Sequence, residues 1–205
     1  MNNIKVFEND LPEDLDLSNE KLIGLDNEAL GLVLGRDPLT LVQLGLESKN
    51  FYLIKLNRKT YHAPNLVKIL SNTNTQFIMH YARQDLLWLK YHLKVQPKNI
   101  FCTKVASKIA RTASSFHGYK DLVKELCGKD ISKREQQSDW GNPNLSEKQI
   151  KYAASDTEFL FEIRTKLINM LEREKRIDLF KKSMGVIPIL VDMEIAGYNL
   201  STFEH

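Results

Sequence analysis

The chain has 205 residues, of which 42% are hydrophobic and 27% charged, and its formal net charge is +3 at pH 7. These values are typical of one soluble globular domain, and no apolar run approaches the ~20 residues of a membrane-spanning helix. The slightly basic balance is compatible with a nucleic-acid partner without demonstrating one.

The cysteines and the N-terminus indicate the cellular compartment. Cys102 and Cys127 have no CxxC spacing, and the polar, acidic N-terminus lacks the apolar core of a signal peptide. We therefore expect a cytoplasmic protein in which both thiols are reduced and neither is catalytic.

Three segments early in the chain predict an antiparallel meander. Lys21–Leu25 is a short apolar run, and Leu39–Leu46 and Asn50–Leu56 alternate apolar and polar residues as strands do. Residues 47–50 are polar and predict the turn between the last two strands.

Short helices and strands then alternate. The predicted order is helix Pro64–Leu70, strand Gln76–Met79, helix Ala82–Leu93, strand Ile100–Cys102, and helices Thr103–Arg111 and Tyr119–Leu126. Because strands that alternate with helices usually pair in parallel, this part predicts a parallel portion of the sheet and an α/β fold.

The clearest helix begins after Ser146, where Ser-Glu-Lys-Gln forms a capping box. Apolar residues then recur at helical spacing to Met170, and Arg176–Met184 predicts a last helix. Residues 185–205 have no clear pattern. The apolar run at 186–191 predicts packing on the domain or on another subunit.

Two acidic residues follow the first predicted strand. Asp26 and Glu28 lie two positions apart, so an extended chain points both carboxylates to one face. Carboxylates this close raise each other's pKa unless a cation compensates, and oxygen ligands suit Mg²⁺ and Mn²⁺. A solvated loop is the alternative interpretation. Leu32, soon after, is either a wedge against a base or a core residue.

A third carboxylate, Asp85, lies in the first turn of the predicted helix Ala82–Leu93. Ligands bind at this edge of an α/β sheet, although the helix dipole alone also favours an aspartate there. His80 and Arg83 are candidate phosphate contacts. A buried histidine and an exposed helix residue are the alternatives.

The fourth carboxylate, Asp156, lies four residues after Tyr152 and therefore on the same face of the capped helix. Such a pair can orient one water molecule, although a phenol with a pKa of ~10 is a poor base. A surface Tyr–Asp pair is the alternative.

Lys104, Lys108 and Arg111 form a basic stripe on one predicted helix. The stripe is a candidate phosphate-binding surface, and a solvated helix face is the alternative. In the polar loop Asp130–Asn144, Trp140 either stacks on a base or anchors the loop.

Taken in order, these motifs resemble those of one enzyme family. They read Leu-Asp-x-Glu-x-x-Gly-Leu at 25–32, His-x-Ala-Arg-x-Asp-Leu at 80–86 and Tyr-Ala-Ala-x-Asp at 152–156. This set resembles the three motifs of the DEDDy-type 3′–5′ exonucleases. Gln-Ser-Asp-Trp at 137–140, with the capped helix after it, is similar to ribonuclease D, in particular to its short α-proteobacterial, nanoRNase C-like members.

The resemblance covers about residues 20–175. It implies a ribonuclease H-like fold, with a mixed five-stranded sheet flanked by helices, in one exonuclease domain over residues 1–205. Residues at about 176–205 are expected to form a C-terminal extension, and the helical nucleic-acid-binding domains of longer ribonuclease D proteins are expected to be absent.

The resemblance also implies the roles of the site residues. Two divalent ions, Mg²⁺ or Mn²⁺, are expected to bind to Asp26, Glu28, Asp85 and Asp156. Tyr152 is implied to position the attacking water, and Leu32 to be the wedge against the terminal bases. The sequence departs from the family at Asn27 and Ala29, where threonines are usual, so a hydroxyl near the 3′ end of the substrate is missing.

The expected reaction is 3′→5′ hydrolysis of short RNA, dinucleotides above all, to nucleoside 5′-monophosphates by two-metal-ion catalysis. The nanoRNase C-like members also imply a ring-shaped homo-octamer. One alternative is a proofreading exonuclease acting on DNA 3′ ends, because Ile187–Leu200 faintly resembles a segment of family A polymerases. The other is an inactive domain that binds RNA or protein, against which the complete set of carboxylates argues.

Overall fold

A mixed β-sheet forms the centre of the fold in a computed structural model that describes residues 3–132 and 134–203. The strands are β1 (Asn3–Glu8), β2 (Leu22–Ala29), β3 (Leu39–Gly45), β4 (Asn50–Lys55), β5 (Gln76–Met79) and β6 (Ile100–Cys102). Their order is β1-β4-β3-β2-β5-β6. The antiparallel meander β2-β3-β4 and the parallel pairs β2-β5 and β5-β6 confirm the predicted mixed sheet.

The described part of the chain forms six strands where five were expected, because β1 was not predicted. It pairs in parallel with β4 at the edge of the sheet. Val6 remains 39% exposed, and Phe7 stacks on Tyr52 with ring centroids 6.2 Å apart. An edge strand that buries so little side chain has no apolar run for a sequence pattern to detect, since backbone hydrogen bonds provide most of its pairing.

Helices flank the sheet. They are α1 (Pro64–Leu70), α2 (Ala82–Leu93), α3 (Thr103–Ala110), α4 (Tyr119–Leu122), α5 (Glu147–Glu158), α6 (Leu160–Arg173), α7 (Ile177–Met184) and α8 (Val186–Ile195). A π-helical turn, Val123–Cys127, continues α4, and 3₁₀ turns cover Arg134–Gln137 and Leu200–Phe203.

The periodic segment after Ser146 folds as two helices that meet at Phe159. The capping box forms as predicted, with the Gln149 N–H donating to Ser146 Oγ at 3.2 Å. The Phe159 N–H donates to the hydroxyl of Tyr119 at 3.3 Å. This partner comes from another element, so an apolar period along the chain does not reveal the break.

The C-terminal segment, which has no clear sequence pattern, forms α8 against α2. Val191 is fully buried in this contact. Ion pairs join Arg83 to Glu194 and Lys90 to Asp192. The buried side of this segment therefore packs on the domain, one of the two predicted alternatives, while Val186 and Ile189 stay exposed.

The core lies between the sheet and the helices, and its fully buried side chains include Leu25, Phe51 and Phe77. Cys102 and Cys127 are both free thiols, and the reducing cytoplasmic compartment stays a prediction. Within the described ranges, every helix is too short or too polar to cross a lipid bilayer.

Candidate active site

Three elements bring the predicted carboxylates into one cleft. Asp26 and Glu28 lie on β2, Asp85 in the first turn of α2, and Asp156 on α5. All of them, together with Tyr152, line a cleft of about 410 Å³. Residues far apart in the sequence therefore meet at one end of the sheet.

The connection from β5 to α2 places Asp85 beside β2. Because β2 and β5 are parallel, their carboxyl ends lie at the same edge of the sheet, where α2 begins. Tyr81 adopts a left-handed conformation (φ 67°) in this connection, which is uncommon outside glycine. The side-chain amide of Asn27 donates to the Asp85 carbonyl at 3.1 Å and holds the start of α2 against β2.

Two glycines let α5 approach the sheet. A Cβ atom at Gly45 would lie 2.5 Å from Thr157 Oγ1, and one at Gly24 would lie 3.1 Å from the Thr157 carbonyl oxygen. Thr157 follows Asp156 directly. This close contact therefore fixes the position of Asp156 opposite β2.

The carboxylates fit a divalent cation. One oxygen each of Asp26, Glu28 and Asp156 lies within 4.8 Å of the other two. Asp85 is hydrogen-bonded to Asp26, and its Oδ2 is buried without a hydrogen-bond partner among the described residues. Buried polar atoms are normally paired, and an oxygen-only donor set suits hard cations such as Mg²⁺ and Mn²⁺.

The electrostatics of the cluster also favour a cation. Burial, the largest cause, raises the pKa of Asp26 to about 7. Burial and the charges of Asp26 and Asp156 raise the pKa of Glu28 to about 10. Burial, followed by the Asp26 charge, raises the pKa of Asp85 and of Asp156 well above its ordinary range. The cluster therefore retains protons at neutral pH unless a cation displaces them.

Tyr152 is a hydrogen-bond donor in this cleft. Its hydroxyl bonds to the Asp156 carboxylate. Burial, followed by the charges of Asp156 and Glu28, raises the pKa of Tyr152 above its ordinary value, so the phenol stays protonated. Trp140 is buried with its ring 6.0 Å from that of Tyr152, so this tryptophan anchors the loop.

A second tyrosine, Tyr119, lines the cleft although no sequence motif marks it. Its hydroxyl donates to the Ser155 carbonyl at 2.8 Å, and its ring lies 5.7 Å from that of His80. Only the tertiary contact between α4 and α5 brings it to the site. No local spacing in the sequence gives a signal for it.

Half of the predicted substrate contacts line the cleft, namely Leu32, His80 and Lys104. Leu32 is 82% exposed, which excludes the interpretation that it is a core residue. His80 Nδ1 lies 2.9 Å from Thr103 Oγ1. Lys104 Nζ lies 4.0 Å from the centroid of the Tyr81 ring, a cation–π contact at the cleft.

The other predicted contacts, Arg83, Lys108 and Arg111, are not among the described residues that line the cleft. Arg83 forms an ion pair with Glu194, and Arg111 forms one with Glu125. Lys108 is exposed on α3, one turn beyond Lys104. The predicted basic stripe therefore divides, and only its first residue reaches the cleft.

Comparison with known proteins identifies relatives over most of the chain. A family model described as a 3′–5′ exonuclease matches residues 5–172. Ribonuclease D from Xanthomonas oryzae pv. oryzae is 31% identical over 168 residues, which are 82% of this chain and 46% of that protein. The chain thus spans less than half the length of this curated relative.

Solved structures that match over nearly the full chain include two of one protein. Brucella melitensis NrnC bound to pGG has a TM-score of 0.93 at 34% identity, covering 99% of this chain and 98% of that one. Brucella melitensis NrnC with bound Mg²⁺ has a TM-score of 0.92 at 33% identity and the same coverage. These likenesses confirm the predicted ribonuclease H-like exonuclease fold.

Proposed function

This chain belongs to the 3′–5′ exonuclease family, and we propose that it hydrolyses short RNA from the 3′ end to nucleoside 5′-monophosphates. The observation that carries the proposal is the convergence of Asp26, Glu28 and Asp156, whose oxygens lie within 4.8 Å of one another. The relatives named ribonuclease D and the NrnC structure with bound pGG support RNA as the substrate.

Divalent metal ions are the cofactor, because the carboxylates fit them and the related NrnC structure has bound Mg²⁺. A bound pair supplies Lewis acidity for in-line attack by water and offsets the charge that grows on the phosphate and the leaving 3′-oxygen. Asp26 lies near Glu28 and Asp156 and is also hydrogen-bonded to Asp85. In a bound pair, Asp26 would therefore contribute to holding both ions, Glu28 and Asp156 would help to hold one, and Asp85 would help to hold the other.

We assign Tyr152 to the attacking water. Its raised pKa keeps the hydroxyl protonated, and its bond to Asp156 fixes the direction of the phenol. A hydroxyl that donates one bond still accepts another, so Tyr152 can hold a water molecule in line with the scissile phosphate. Removing a proton from that water is not its role.

The cleft supports a short substrate. Its volume of about 410 Å³ is at the lower end of the ~300–1,000 Å³ of small-ligand sites, which suits an oligonucleotide of very few bases. Leu32 stands exposed at the cleft and is suited to pack against the terminal bases. Lys104 and Lys120 also line the cleft, where their charges would attract backbone phosphate.

The test is product analysis on a 5′-phosphorylated diribonucleotide, a longer RNA and the matching DNA, with Mg²⁺, Mn²⁺ or chelator. Asp156→Asn should lower kcat/KM by at least ~100-fold, because metal affinity and site charge both change. Glu147→Gln is the matched control, since its side chain lies on the same helix but is 91% exposed. It should leave the rate unchanged.

The cleavage rates distinguish the proposed function from its alternatives. Undiminished cleavage by Asp156→Asn would contradict the site assignment. Equal rates on the diribonucleotide and the longer RNA would contradict the preference for short substrates. Faster cleavage of DNA would favour the proofreading alternative, and no cleavage with either metal would favour a binding domain.

We also propose that the chain forms a homo-oligomer, with the homo-octamer of nanoRNase C-like proteins as the expected state. Apolar side chains exposed on α7 and α8 support this: Leu179 is 58%, Val186 47% and Ile189 55% exposed. A mass measurement in solution tests it, and the mass of a single chain would contradict it.

A further inference from the structure

A short loop presents Leu32 to the cleft. This segment, the Leu32 loop, comprises residues Leu30–Pro38 and connects β2 to β3. The Leu30 N–H donates to the Pro38 carbonyl at 3.1 Å and closes the loop at its base. The Asp37 N–H donates to the Val33 carbonyl at 2.9 Å and closes a turn within it.

Packing does not hold Leu32 in place, because its side chain is 82% exposed. The backbone of the loop must therefore fix its position. Loops that rely on few contacts open easily, and a residue that acts as a wedge needs a defined position before substrate arrives.

The Asp37 carboxylate accepts the hydrogen bonds that hold the backbone of the loop in place. Its Oδ2 accepts the Val33 N–H at 2.9 Å, and the backbone of Leu32 also hydrogen-bonds to it. Arg36 donates to both oxygens, at 2.7 and 2.8 Å. The Asp37 side chain is only 11% exposed although it lies in a surface loop. One carboxylate thus ties together the backbone on which Leu32 stands.

The two glycines of the loop fit this arrangement. A Cβ atom at Gly31 would lie 2.1 Å from Asp37 Oδ2, so the chain next to Leu32 is folded directly onto the carboxylate. Gly35 has φ 81°, and a Cβ atom there would lie 3.2 Å from the Tyr91 hydroxyl of α2. The loop is therefore held from within by Asp37 and rests on α2.

We propose that Asp37 is a positioning residue that fixes Leu32 at the cleft and so determines how tightly the terminal bases of a short RNA are held. This inference rests on the proposed function and adds to it a residue outside the three motifs. Asp37 is not among the described residues that line the cleft, so it acts on substrate binding through Leu32.

Asp37→Asn should raise KM for the diribonucleotide about tenfold, because that is the ratio expected when hydrogen bonds to a charged group are weakened. The same substitution should leave kcat nearly unchanged. Gly31→Ala should raise KM in the same way, because its Cβ atom displaces the carboxylate without removing it. Hydrogen exchange should show faster exchange of the Leu32 and Val33 amides in Asp37→Asn.

Asp10→Asn is the matched control. The Asp10 carboxylate also accepts backbone N–H groups, that of Leu11 at 2.8 Å and those of Asn65 and Leu66 at 2.9 Å each, but it lies against the start of α1 and is not among the described residues that line the cleft. A similar loss of stability is expected in both variants. Only Asp37→Asn should change KM.

A double-mutant cycle separates positioning from a general structural role. In a Leu32→Ala background, Asp37→Asn should have little further effect on KM, because the side chain that it positions is gone. An equal effect in both backgrounds, an unchanged KM for Asp37→Asn, or unchanged exchange of the Leu32 and Val33 amides would overturn the inference. A wild-type protein that cleaves no RNA would instead refute the proposed function, and the inference with it.

Discussion

The buried carboxylate cluster is needed for the proposed function, but it lowers the folding stability of the metal-free protein. Burial raises the pKa of Asp26 and of Glu28, and the charges of Asp26 and Asp156 raise the pKa of Glu28 further. A bound cation removes the penalty of burying ionised carboxylates, because it offsets their mutual repulsion and satisfies the buried oxygens. The same residues should therefore determine both catalysis and the pH dependence of stability.

Metal-free protein should lose stability as pH rises. The folded-state pKa values of Asp26 and Glu28 are about 7 and about 10, against ordinary values of 3.8 and 4.5. A group with a raised folded-state pKa stabilises the fold fully below its ordinary pKa, and this contribution is lost as pH rises through the folded-state value. Thermal unfolding in chelator should give a lower Tm at about pH 8 than at about pH 5, and Mn²⁺ should restore it.

Glu28→Gln sharpens this test. The substitution removes a carboxyl group that must take up a proton when the metal-free protein folds at about pH 8, so it should raise the Tm at that pH and abolish hydrolysis. Glu147→Gln, which removes an exposed charge, should change neither. A lower Tm for Glu28→Gln than for the wild type would show that the charge is not penalised in the folded state.

At the scale of elements, the site depends on how closely α5 lies against β2 and β3. Gly24 and Gly45 remove the side chains that would separate them from Thr157. The neighbouring residue Asp156 faces β2 because of this contact. A change of packing there should therefore reach the catalytic carboxylate.

Gly45→Ala should destabilise the protein by about 1–3 kcal/mol, because its Cβ atom overlaps a well-packed contact. The crowding atom is Thr157 Oγ1, 2.5 Å from the ideal Cβ position. Gly185→Ala is the control, since its nearest atom lies at 3.4 Å and its φ of −69° suits alanine. Denaturant unfolding measures both, and equal stabilities of the two variants would contradict this account of the α5 contact.

Sequence patterns predicted the elements whose signal is local. Pro64–Leu70, Gln76–Met79, Ala82–Leu93 and Ile100–Cys102 have the predicted bounds, because their apolar periods and end signals lie within the segment. The sequence did not reveal β1, whose pairing is mostly backbone, or the break at Phe159, whose hydrogen-bond partner is Tyr119.

The same distinction applies to the site. The motifs led to Asp26, Glu28, Asp85, Tyr152 and Asp156, and all of them line the cleft. The contacts around these residues depend on the tertiary structure. Arg83 and Arg111 pair with Glu194 and Glu125, which are distant in sequence, so local spacing did not predict their positions.

At the scale of the whole molecule, the three motifs come together at one end of the sheet, and the open cleft lies at that same end. β2, α2 and α5 supply the carboxylates, while the Leu32 loop and α3 supply side chains on its rim. The family match at residues 5–172 covers all of these elements. The exposed apolar side chains of α7 and α8 lie entirely outside that match, and the partner that we propose for them is another copy of the chain.

The most direct test of the central claim is anomalous diffraction at the manganese edge from crystals soaked in Mn²⁺. We expect two peaks in the cleft, roughly 4 Å apart, with Asp26 between them. Glu28 and Asp156 should ligate one ion, and Asp85 should lie beside the other. An empty cleft at saturating Mn²⁺, or ions held by other residues, would contradict the central claim.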